Sequence, residues 1–303
     1  TILEIELKLP PLAEQQRIVA KLDKLFAHLE ETKTRLNKIP QLLKNFRQSV
    51  LTQAVTGKLT EDWRKENEIN KDTWESTLLD DLILFSGNGL SKRSGSGTLQ
   101  TVLRLADFKN AKRVSGKERS INLTEKEKEK YTLNQDDILI VRVNGSVEIA
   151  GIFIKYEYKN HEAYCDHFIR LCLDKEKVNP DYLIYLANSG EGRIYLKNSL
   201  STSAGQNTIN QKSVKGLRIS LPSLKEQNEI LKIVQSLFIK ADGVELKMNT
   251  LKLKIKNLPQ SILAKAFKGE LVEQLPTDGD AQELLHEIQK LKAQTTNTKK
   301  KKK

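Results

Sequence analysis

Residues 9–15 read Leu-Pro-Pro-Leu-Ala-Glu-Gln, and residues 221–227 read Leu-Pro-Ser-Leu-Lys-Glu-Gln. The two stretches lie 212 residues apart, and the correspondence continues without a gap to Leu59 and Leu271. An ungapped match over about fifty residues indicates an internal repeat, which has to be identified before any other element because it decides the architecture. Identical pairs within it include Phe26 and Phe238, Asn45 and Asn257, Gln48 and Gln260, Ser49 and Ser261, Ala54 and Ala266, and Gly57 and Gly269.

Each copy of the repeat predicts one long helix. Proline near the start fits the first turn of a helix, where its missing N–H group would have no partner in any case. Ser223 and Glu226 have the spacing of a capping box. Gly57 and Gly269 stand where a residue in the left-handed conformation would end each helix. Residues 13–56 would then form a helix about 66 Å long.

The apolar residues of both copies recur in alternating steps of four and three, which is typical of a coiled-coil seam. Such a seam needs a partner helix, and the other copy of the repeat is the obvious one. Because the chain has to return after the intervening residues, we expect an antiparallel pair. Pro40 and Pro259 each remove one helical hydrogen bond and predict a kink. The predicted seam consists of Ile18, Leu22, Leu25, Leu29, Thr32, Leu36, Ile39, Leu43, Phe46 and Val50 in the first copy, and Ile230, Val234, Leu237, Ala241, Val244, Met248, Leu251, Ile255, Leu258 and Ile262 in the second.

Between the repeats the sequence changes to short β-like runs separated by glycine-rich turns. The fold class is therefore mixed α/β (α+β), with one globular domain flanked by two long helices that form an antiparallel coiled coil. The β-like runs are Leu82–Phe85, Ile138–Val143, Ile149–Ile154, Phe168–Leu173 and Leu217–Leu221, and a helix is expected from Tyr182 to about Ala187. The predicted regions are the first helix 13–57, a linker 58–75, the globular domain 76–220, the second helix 221–270 and a tail 271–303.

The tail and the composition bear on the partner. Ala281, Leu284, Leu285, Ile288 and Leu291 form one helical stripe, and we expect a short amphipathic helix followed by a basic, disordered end over 293–303. The chain has 51 Lys and Arg against 39 Asp and Glu, a net charge of +12, which favours a polyanionic partner. No apolar run is long enough to span a membrane, so we expect no membrane partner. Cys165 and Cys172 have neither disulfide-framework nor zinc-site spacing, and we expect a cytoplasmic protein.

No motif in the sequence predicts catalysis. There is no GxxxxGK[ST] phosphate loop and no GxGxxG after a strand. The stretch 179–182, Asn-Pro-Asp-Tyr, is similar to the Asn-Pro-Pro-Tyr motif of amino-methyltransferases, but helix capping by Asn179 with proline in the first turn explains it as well. Cys165 and His167 could be a nucleophile or a ligand pair, but no other histidine has matching spacing. We expect no catalytic residues, no metal and no cofactor in this chain.

The repeated helix start and several further stretches resemble the specificity subunit of type I restriction–modification systems. The resemblance spans nearly the whole chain. The further stretches are Gln48-Ser49-Val50-Leu51 and Gly57-Lys58-Leu59 in the first copy, Gln260-Ser261-Ile262-Leu263 and Gly269-Glu270-Leu271 in the second, and Asp137–Ser146 and Gly205–Asn210 between them.

The resemblance implies a non-catalytic DNA-recognition role. In that family two target-recognition domains alternate with two helical regions, each domain reads half of a split site, and the helices set the spacing. The implied partners are double-stranded DNA, methyltransferase (modification) subunits that use S-adenosylmethionine, a restriction/translocase subunit that uses ATP, and a second copy of this chain as a homodimer. Residues 1–12 would be the end of a missing first recognition domain, so we expect a half-length form, natural or truncated.

Loop residues with suitable side chains are the candidates for DNA contact. Arginine and lysine suit guanine, asparagine and glutamine suit adenine, and serine suits either. The predicted base contacts are Lys92, Arg93, Arg142, Asn144, Ser146, Gln206, Asn207 and Asn210, and the predicted phosphate contacts are Lys112, Arg113, Lys212 and Lys215. A coiled-coil adaptor with an unrelated binding domain, a methyltransferase fragment and an antirestriction decoy that occupies the modification subunit stay open as alternatives. Steeply salt-dependent DNA binding would separate recognition from the adaptor.

Overall fold

The computed structural model of the chain describes residues 9–70, 73–93, 95–109, 111–116 and 118–300. The first long helix, α1, spans Leu12–Val55 and the second, α7, spans Leu224–Phe267, each with 44 residues. Their starts and ends lie 212 residues apart, so the sequence repeat is also a structural repeat, and the two predicted helices are confirmed. Both helices continue through their internal prolines. The predicted end of a first domain lies mainly in residues 1–8, outside the described residues.

The two long helices share the same local geometry at both ends. Gly57 and Gly269 have φ values of +74° and +77°, the left-handed conformation predicted for them. The amide that follows each glycine donates to the carbonyl oxygen five residues earlier at 2.9 Å. At the helix starts, the side-chain amides of Gln15 and Gln227 each donate to the carbonyl oxygen of a proline five residues earlier at 2.8 Å. The repeat therefore extends to the caps.

The capping box predicted at the start of α7 forms only in part. Ser223 Oγ accepts a hydrogen bond from the Glu226 amide at 3.3 Å. The Glu226 carboxylate is instead buried, and it accepts from Thr60 Oγ1 at 2.7 Å, Arg64 Nη1 at 2.5 Å and Trp74 Nε1 at 2.9 Å. The side chains of Arg64 and Glu226 are 7% and 1% exposed. This cluster gives the buried carboxylate the partners that it needs.

The stretch predicted as a linker, 58–75, is therefore folded against α7. It contains a helix, α2 (Glu61–Glu66), and the buried residues Thr60 and Arg64. The prediction of a linker was wrong for its described residues. The partner of Arg64 lies 162 residues further along the chain, where local composition could not reveal it.

Residues 44–241 form the larger of two compact units. Its central antiparallel sheet has the order β2-β11-β7-β9, a second sheet has the order β10-β3-β6, and β1-β14 and β4-β5 form pairs. The strands are β1 (Glu75–Leu78), β2 (Ile83–Asn88), β3 (Thr98–Leu103), β4 (Phe108–Lys109), β5 (Lys112–Arg113), β6 (Arg119–Leu123), β7 (Ile138–Val141), β8 (Val143–Asn144), β9 (Phe153–Lys155), β10 (Ala163–Tyr164), β11 (Phe168–Leu173), β12 (Ser201–Ser203), β13 (Gln206–Thr208) and β14 (Arg218–Leu221). The unit also holds one-turn 3-10 helices at Leu79–Leu82 and Leu105–Asp107, and the helices α3 (Glu125–Tyr131), α4 (Pro180–Asn188), α5 (Gly190–Asn198) and α6 (Gln211–Lys215).

The central sheet is covered on both faces. In β7 the residues Ile138 and Ile140 pack into one hydrophobic cluster, and Leu139 and Val141 pack into another, as the alternation of a strand requires. A strand buried on both sides is apolar at every position, which explains the run Ile-Leu-Ile-Val. Helix α4 covers one face, and its predicted cap is confirmed because Asn179 Oδ1 accepts from the Asp181 amide at 2.9 Å.

The ends of both long helices complete the core of this unit. Val50 and Ala54 near the end of α1 share a cluster with Ile230, Leu231 and Val234 near the start of α7. The late part of one helix therefore contacts the early part of the other, and the pair is antiparallel as predicted. The globular region predicted at 76–220 is thus only part of a compact unit, because its core needs the helix ends.

The smaller unit consists of residues 1–43 and 242–303. Its helix seam contains Leu29, Leu36, Met248 and Ile255, with Ile39 packed against them. The predicted seam residues Val244, Leu251 and Leu258 are between 41% and 47% exposed. The buried seam of this unit therefore includes fewer residues than the sequence pattern predicts.

The tail of the smaller unit differs from the prediction of a disordered end. Helix α8 runs Ala281–Lys300, past residue 293 where we expected disorder, because no glycine or proline interrupts these residues. Before it, Asp278 accepts two hydrogen bonds from Arg17, one of them from Nη2 at 2.6 Å. Of the described helices, none is long and apolar enough to cross a membrane.

We expect Glu226→Ala to lower the free energy of unfolding of the full chain by about 3–5 kcal/mol, because it leaves the Arg64 guanidinium buried without its carboxylate. Urea denaturation followed by circular dichroism measures the change. The matched control is Glu31→Ala, which removes the exposed partner of Arg35 at 2.5 Å and should change stability by less than about 0.5 kcal/mol. Equal effects of the two variants would contradict the role of Glu226.

Candidate nucleic-acid interface

A small polar sheet on the larger unit brings together several predicted base contacts. Its order is β12-β13-β8, and β12 and β13 form a hairpin with Ala204 and Gly205 at the turn. These turn residues have φ values of +47° and +73°. In the register of the sheet Asn207 lies opposite Asn144, and the predicted contact Gln206 begins β13. Ser201–Ser203 lies beside them, exposed at all three positions, and sequence reasoning missed this strand.

Asn207 is a structural residue of this sheet. It is 5% exposed, and its side-chain amide donates to the carbonyl oxygens of Gly145 at 3.0 Å and Asn144 at 3.3 Å. Its Oδ1 accepts from Thr202 Oγ1 at 2.8 Å. The side chain is thus already hydrogen-bonded to the loop after β8. The predicted base contact by Asn207 is not supported by this geometry, which favours a role in positioning the loop.

The loop after β8 is held from a second side by Arg193. The guanidinium donates to the carbonyl oxygens of Ala150 at 2.9 Å and Val147 at 2.8 Å, and the residue is buried. Burial lowers the pKa of Arg193 from its ordinary value. Within the loop Asn144 Oδ1 accepts from the Ser146 amide at 2.8 Å, so both predicted contacts lie in one hydrogen-bonded turn. Sequence reasoning missed Arg193, because no motif in the neighbouring sequence indicates its role.

Arg142 precedes this loop and is partly engaged. Its Nε donates to the carbonyl oxygen of Asp166 at 2.7 Å, and its backbone amide donates to that of His167 at 2.7 Å. The side chain is half-buried. Arg142 therefore ties the start of β8 to the turn at 165–167.

Lys92 and Arg93, the predicted base contacts after the first glycine-rich turn, have different environments. Lys92 Nζ donates to Glu127 Oε2 at 2.6 Å, and this hydrogen bond is the main reason why the pKa of Glu127 falls to about 2. Arg93 is exposed and has no ion pair within the described part of the chain. Gly89 lies close to its own domain, since an added Cβ would meet the Cys165 carbonyl oxygen at 2.1 Å.

Two of the four predicted phosphate contacts form ion pairs, and the other two are exposed. The side chain of Arg113 is 8% exposed and forms two hydrogen bonds with Glu162, at 3.1 and 2.5 Å. Lys215 pairs with Asp80 at 2.8 Å. Lys112 and Lys212 are exposed. Arg113 was predicted from its charge alone, and its carboxylate partner lies 49 residues away in the sequence.

Comparison with known proteins decides the family. The model of the type I restriction modification DNA specificity domain matches residues 72–253. The chain belongs to the type I restriction–modification specificity family. It is 54% identical over 272 residues to the StySPI specificity subunit of Salmonella potsdam and 38% identical over 274 residues to the EcoKI specificity subunit of Escherichia coli.

The matches cover most of this chain but a smaller share of each relative. They include 89% of this chain but 58% of each of the two relatives. A solved structure, the HsdS subunit from Thermoanaerobacter tengcongensis, matches 86% of this chain and 60% of its own with a TM-score of 0.53 and 19% identity, which supports the fold. The chain thus spans somewhat more than half the length of these specificity subunits.

Two further residues of this specificity chain have structural roles. Asn210, a predicted base contact, caps α6 because its Oδ1 accepts from the Ser213 amide at 2.8 Å. Cys165 is buried, 3.7 Å from His167 Nδ1, and burial raises the pKa of its thiol. Cys165 is therefore a core residue, and the histidine beside it is partly exposed. The candidates that are exposed and have no side-chain hydrogen bond or ion pair among the described residues are Arg93, Gln206, Lys112 and Lys212. Their contacts with DNA stay predictions.

We expect the neighbours Gln206 and Asn207 to separate recognition from stability. Asn207→Ala leaves the Gly145 carbonyl and Thr202 without a partner and should lower the free energy of unfolding by about 1–3 kcal/mol. Gln206→Ala, at an exposed position, should change it by less than about 0.5 kcal/mol. Urea denaturation of both variants measures this, and a larger loss for Gln206→Ala would contradict the assignment.

Proposed function

We propose that this chain is the DNA-specificity subunit of a type I restriction–modification complex and that its recognition domain reads one half of a split DNA site. The observation that carries the proposal is the polar β12-β13-β8 sheet, within the region that the family model matches. The family membership supports the class of function. The exposure of Ser203 and Gln206 supports the choice of this sheet as the DNA-binding surface.

The hairpin of β12 and β13 is the part that we assign to the base edges. A two-stranded ribbon fits the major groove, where each base pair shows a distinct set of donors and acceptors. Ser203 and Gln206 lie opposite each other in the ribbon and are both exposed. A glutamine side chain can pair with the N6 and N7 atoms of adenine, and a serine can bond to several bases. The hairpin therefore has suitable groups in a suitable shape.

Two exposed lysines of the larger unit suit contacts with the phosphate backbone of DNA. Lys112 and Lys212 have no ion pair among the residues that the structure describes, and both are exposed. Phosphate contacts place a protein on the duplex but carry no sequence information directly. The net charge of +12 supports the same kind of partner.

We expect Gln206→Ala to weaken binding to the cognate half-site roughly tenfold and to leave non-specific binding within about twofold, because a base contact discriminates by about 1–3 kcal/mol. The half-site is first selected from a pool of random duplexes with the full chain and its methyltransferase partner. Ser220→Ala, an exposed change in β14, is the matched control. Absence of salt-dependent DNA binding by the wild type would favour the adaptor or the decoy.

We also propose that the helices dock the methyltransferase subunits. In the smaller unit, Leu246 and Leu253 lie seven residues apart on α7 and are 70% and 69% exposed. Residues seven apart lie on nearly the same side of a helix, so they form an apolar row outside the seam. Exposed apolar rows with a polar rim mark protein contacts. S-adenosylmethionine would then be bound by the methyltransferase subunit, and ATP by a restriction/translocase subunit.

We expect Leu246→Glu with Leu253→Glu to lower the affinity for the methyltransferase subunit at least tenfold, because two charges would be buried in an apolar contact. Co-purification and sedimentation of the two subunits measure the loss. The matched control is Asn249→Glu, on the same helix at an exposed polar position, which should leave assembly unchanged. Unchanged assembly of the double variant would contradict this surface.

A split site needs a second recognition domain, and we propose that it comes from a second copy of this chain or from another specificity chain. The described residues hold one domain of this type, and the matched relatives are longer. Methylome sequencing of cells that carry this chain and its methyltransferase partner distinguishes the two. A symmetric target indicates a homodimer, and an asymmetric target indicates two different domains.

A further inference from the structure

A cavity of about 360 Å³ on the larger unit has three arginines in its lining. Arg93, Arg104 and Arg119 line it together with the turn at 165–167, which contributes Asp166 and His167. The proposed base-reading sheet does not include these arginines. Several guanidinium groups around one cavity indicate that the cavity can bind a ligand.

The charges of the cavity are only partly balanced. Arg104 pairs with the buried Asp107, with 3.3 Å between Nη2 and Oδ1. Arg119 Nε is buried and has no hydrogen-bond partner among the described residues, and no carboxylate of these residues pairs with the guanidinium. Arg93 has no ion pair within the same residues, and the lining includes one carboxylate, that of Asp166. The cavity is therefore net positive.

The electrostatics of the cavity disfavour a cation as the ligand. Cys165, Asp166 and His167 place their possible ligand atoms within 4.8 Å of one another, a spacing that could hold a metal ion. The guanidinium groups of the same cavity would repel that ion. The thiol is buried and its pKa is raised, so that the thiolate form, which binds metals, is disfavoured. An anion is the class of ligand that the lining favours.

The position of the cavity connects it with the proposed DNA surface. Its turn at 165–167 accepts two hydrogen bonds from Arg142, which directly precedes β8. Its other wall carries Arg93, in the loop that follows β2. The cavity thus lies between the loops that hold several of the predicted DNA contacts.

We propose that this cavity binds a phosphate group of the DNA backbone, held by Arg119 and Arg93. Guanidinium and phosphate form short, charge-assisted and frequently bidentate hydrogen bonds. Arg119 lines the cavity, so a phosphate oxygen bound there can accept from its guanidinium group. The inference rests on the proposed function, because it assumes that DNA is the ligand of this domain, and it adds a positioning contact beside the base-reading hairpin.

The test uses the full chain and measures affinity for cognate and random duplexes over a range of salt concentrations. We expect Arg119→Gln to weaken binding to both duplexes by the same factor, roughly tenfold, and to reduce the slope of log K against log salt by about 0.9. The ratio of specific to non-specific affinity should stay within about twofold, since phosphate contacts do not read sequence. Arg119→Lys should keep the slope but not the full affinity, because lysine has the charge without the fork.

A series of duplexes with a single neutral methylphosphonate locates the contact. At one position the substitution should weaken the wild type and leave Arg119→Gln unaffected, because both changes remove the same interaction. Arg35→Gln, which removes an exposed, ion-paired charge from α1, is the control for charge alone. If Arg119→Gln does not fold, Arg93→Gln tests the same cavity from an exposed position.

The outcomes separate this inference from the function on which it rests. If the wild type does not bind DNA, the proposed function fails. If the wild type binds and Arg119→Gln behaves like Arg35→Gln, the function stands and the cavity is not a phosphate site. A collapse of the specificity ratio would show that the cavity reads a base, and strong binding of inorganic phosphate alone without an effect on DNA would show a site for a free anion. Either result overturns the inference.

Discussion

The buried carboxylate of Glu226 is the interaction on which the larger unit depends. A carboxylate in this position is unfavourable unless donors surround it, and here Thr60, Arg64 and Trp74 supply them from the segment that follows α1. That segment therefore has to fold against the start of α7. The contact joins the end of one repeat to the beginning of the other, and the core that contains Val50 and Ile230 forms around it. The recognition domain is in this way built onto its two helix ends.

In the smaller unit an ion pair also joins a helix start to the segment after the other helix, but with the charges exchanged. There the start of a long helix supplies the cation, Arg17, and the segment after the other helix supplies the anion, Asp278, whose pKa this hydrogen bond lowers to about 2. The backbone caps of the two copies are alike, but the ion pairs are opposite. Glu14 at the start of α1 is the repeat equivalent of Glu226 and is also buried, at 5% exposure. The two helix starts therefore share a buried carboxylate, and they differ in the cation that Arg17 adds to the first.

The elements that could be predicted are those whose signal is local or periodic. The repeat predicts both helices and their glycine ends, and Asn179 predicts the start of α4, because caps depend on neighbouring residues. The functions of individual polar residues could not be predicted in this way. Arg113 and Arg64 appear as free charges in the sequence, but their carboxylates lie 49 and 162 residues away. The capping box of Thr124 at the start of α3 has a local sequence signal, but the helix was not predicted from it. The strands of two or three residues have too little pattern to detect.

The choice between Gln206 and Asn207 shows why register decides function. Both are amides in one polar run, and both suit an adenine edge, so composition cannot separate them. In an antiparallel pair, residues directly opposite point to the same face and the next pair points to the other. Thr202 and Asn207 form one such pair and hydrogen-bond to each other, and Asn207 also donates to the loop after β8. Ser203 and Gln206 form the next pair and are exposed. One face of the hairpin therefore maintains the fold and the other is open to a ligand. Side chains on the open face can change without loss of the contacts that hold the hairpin in place.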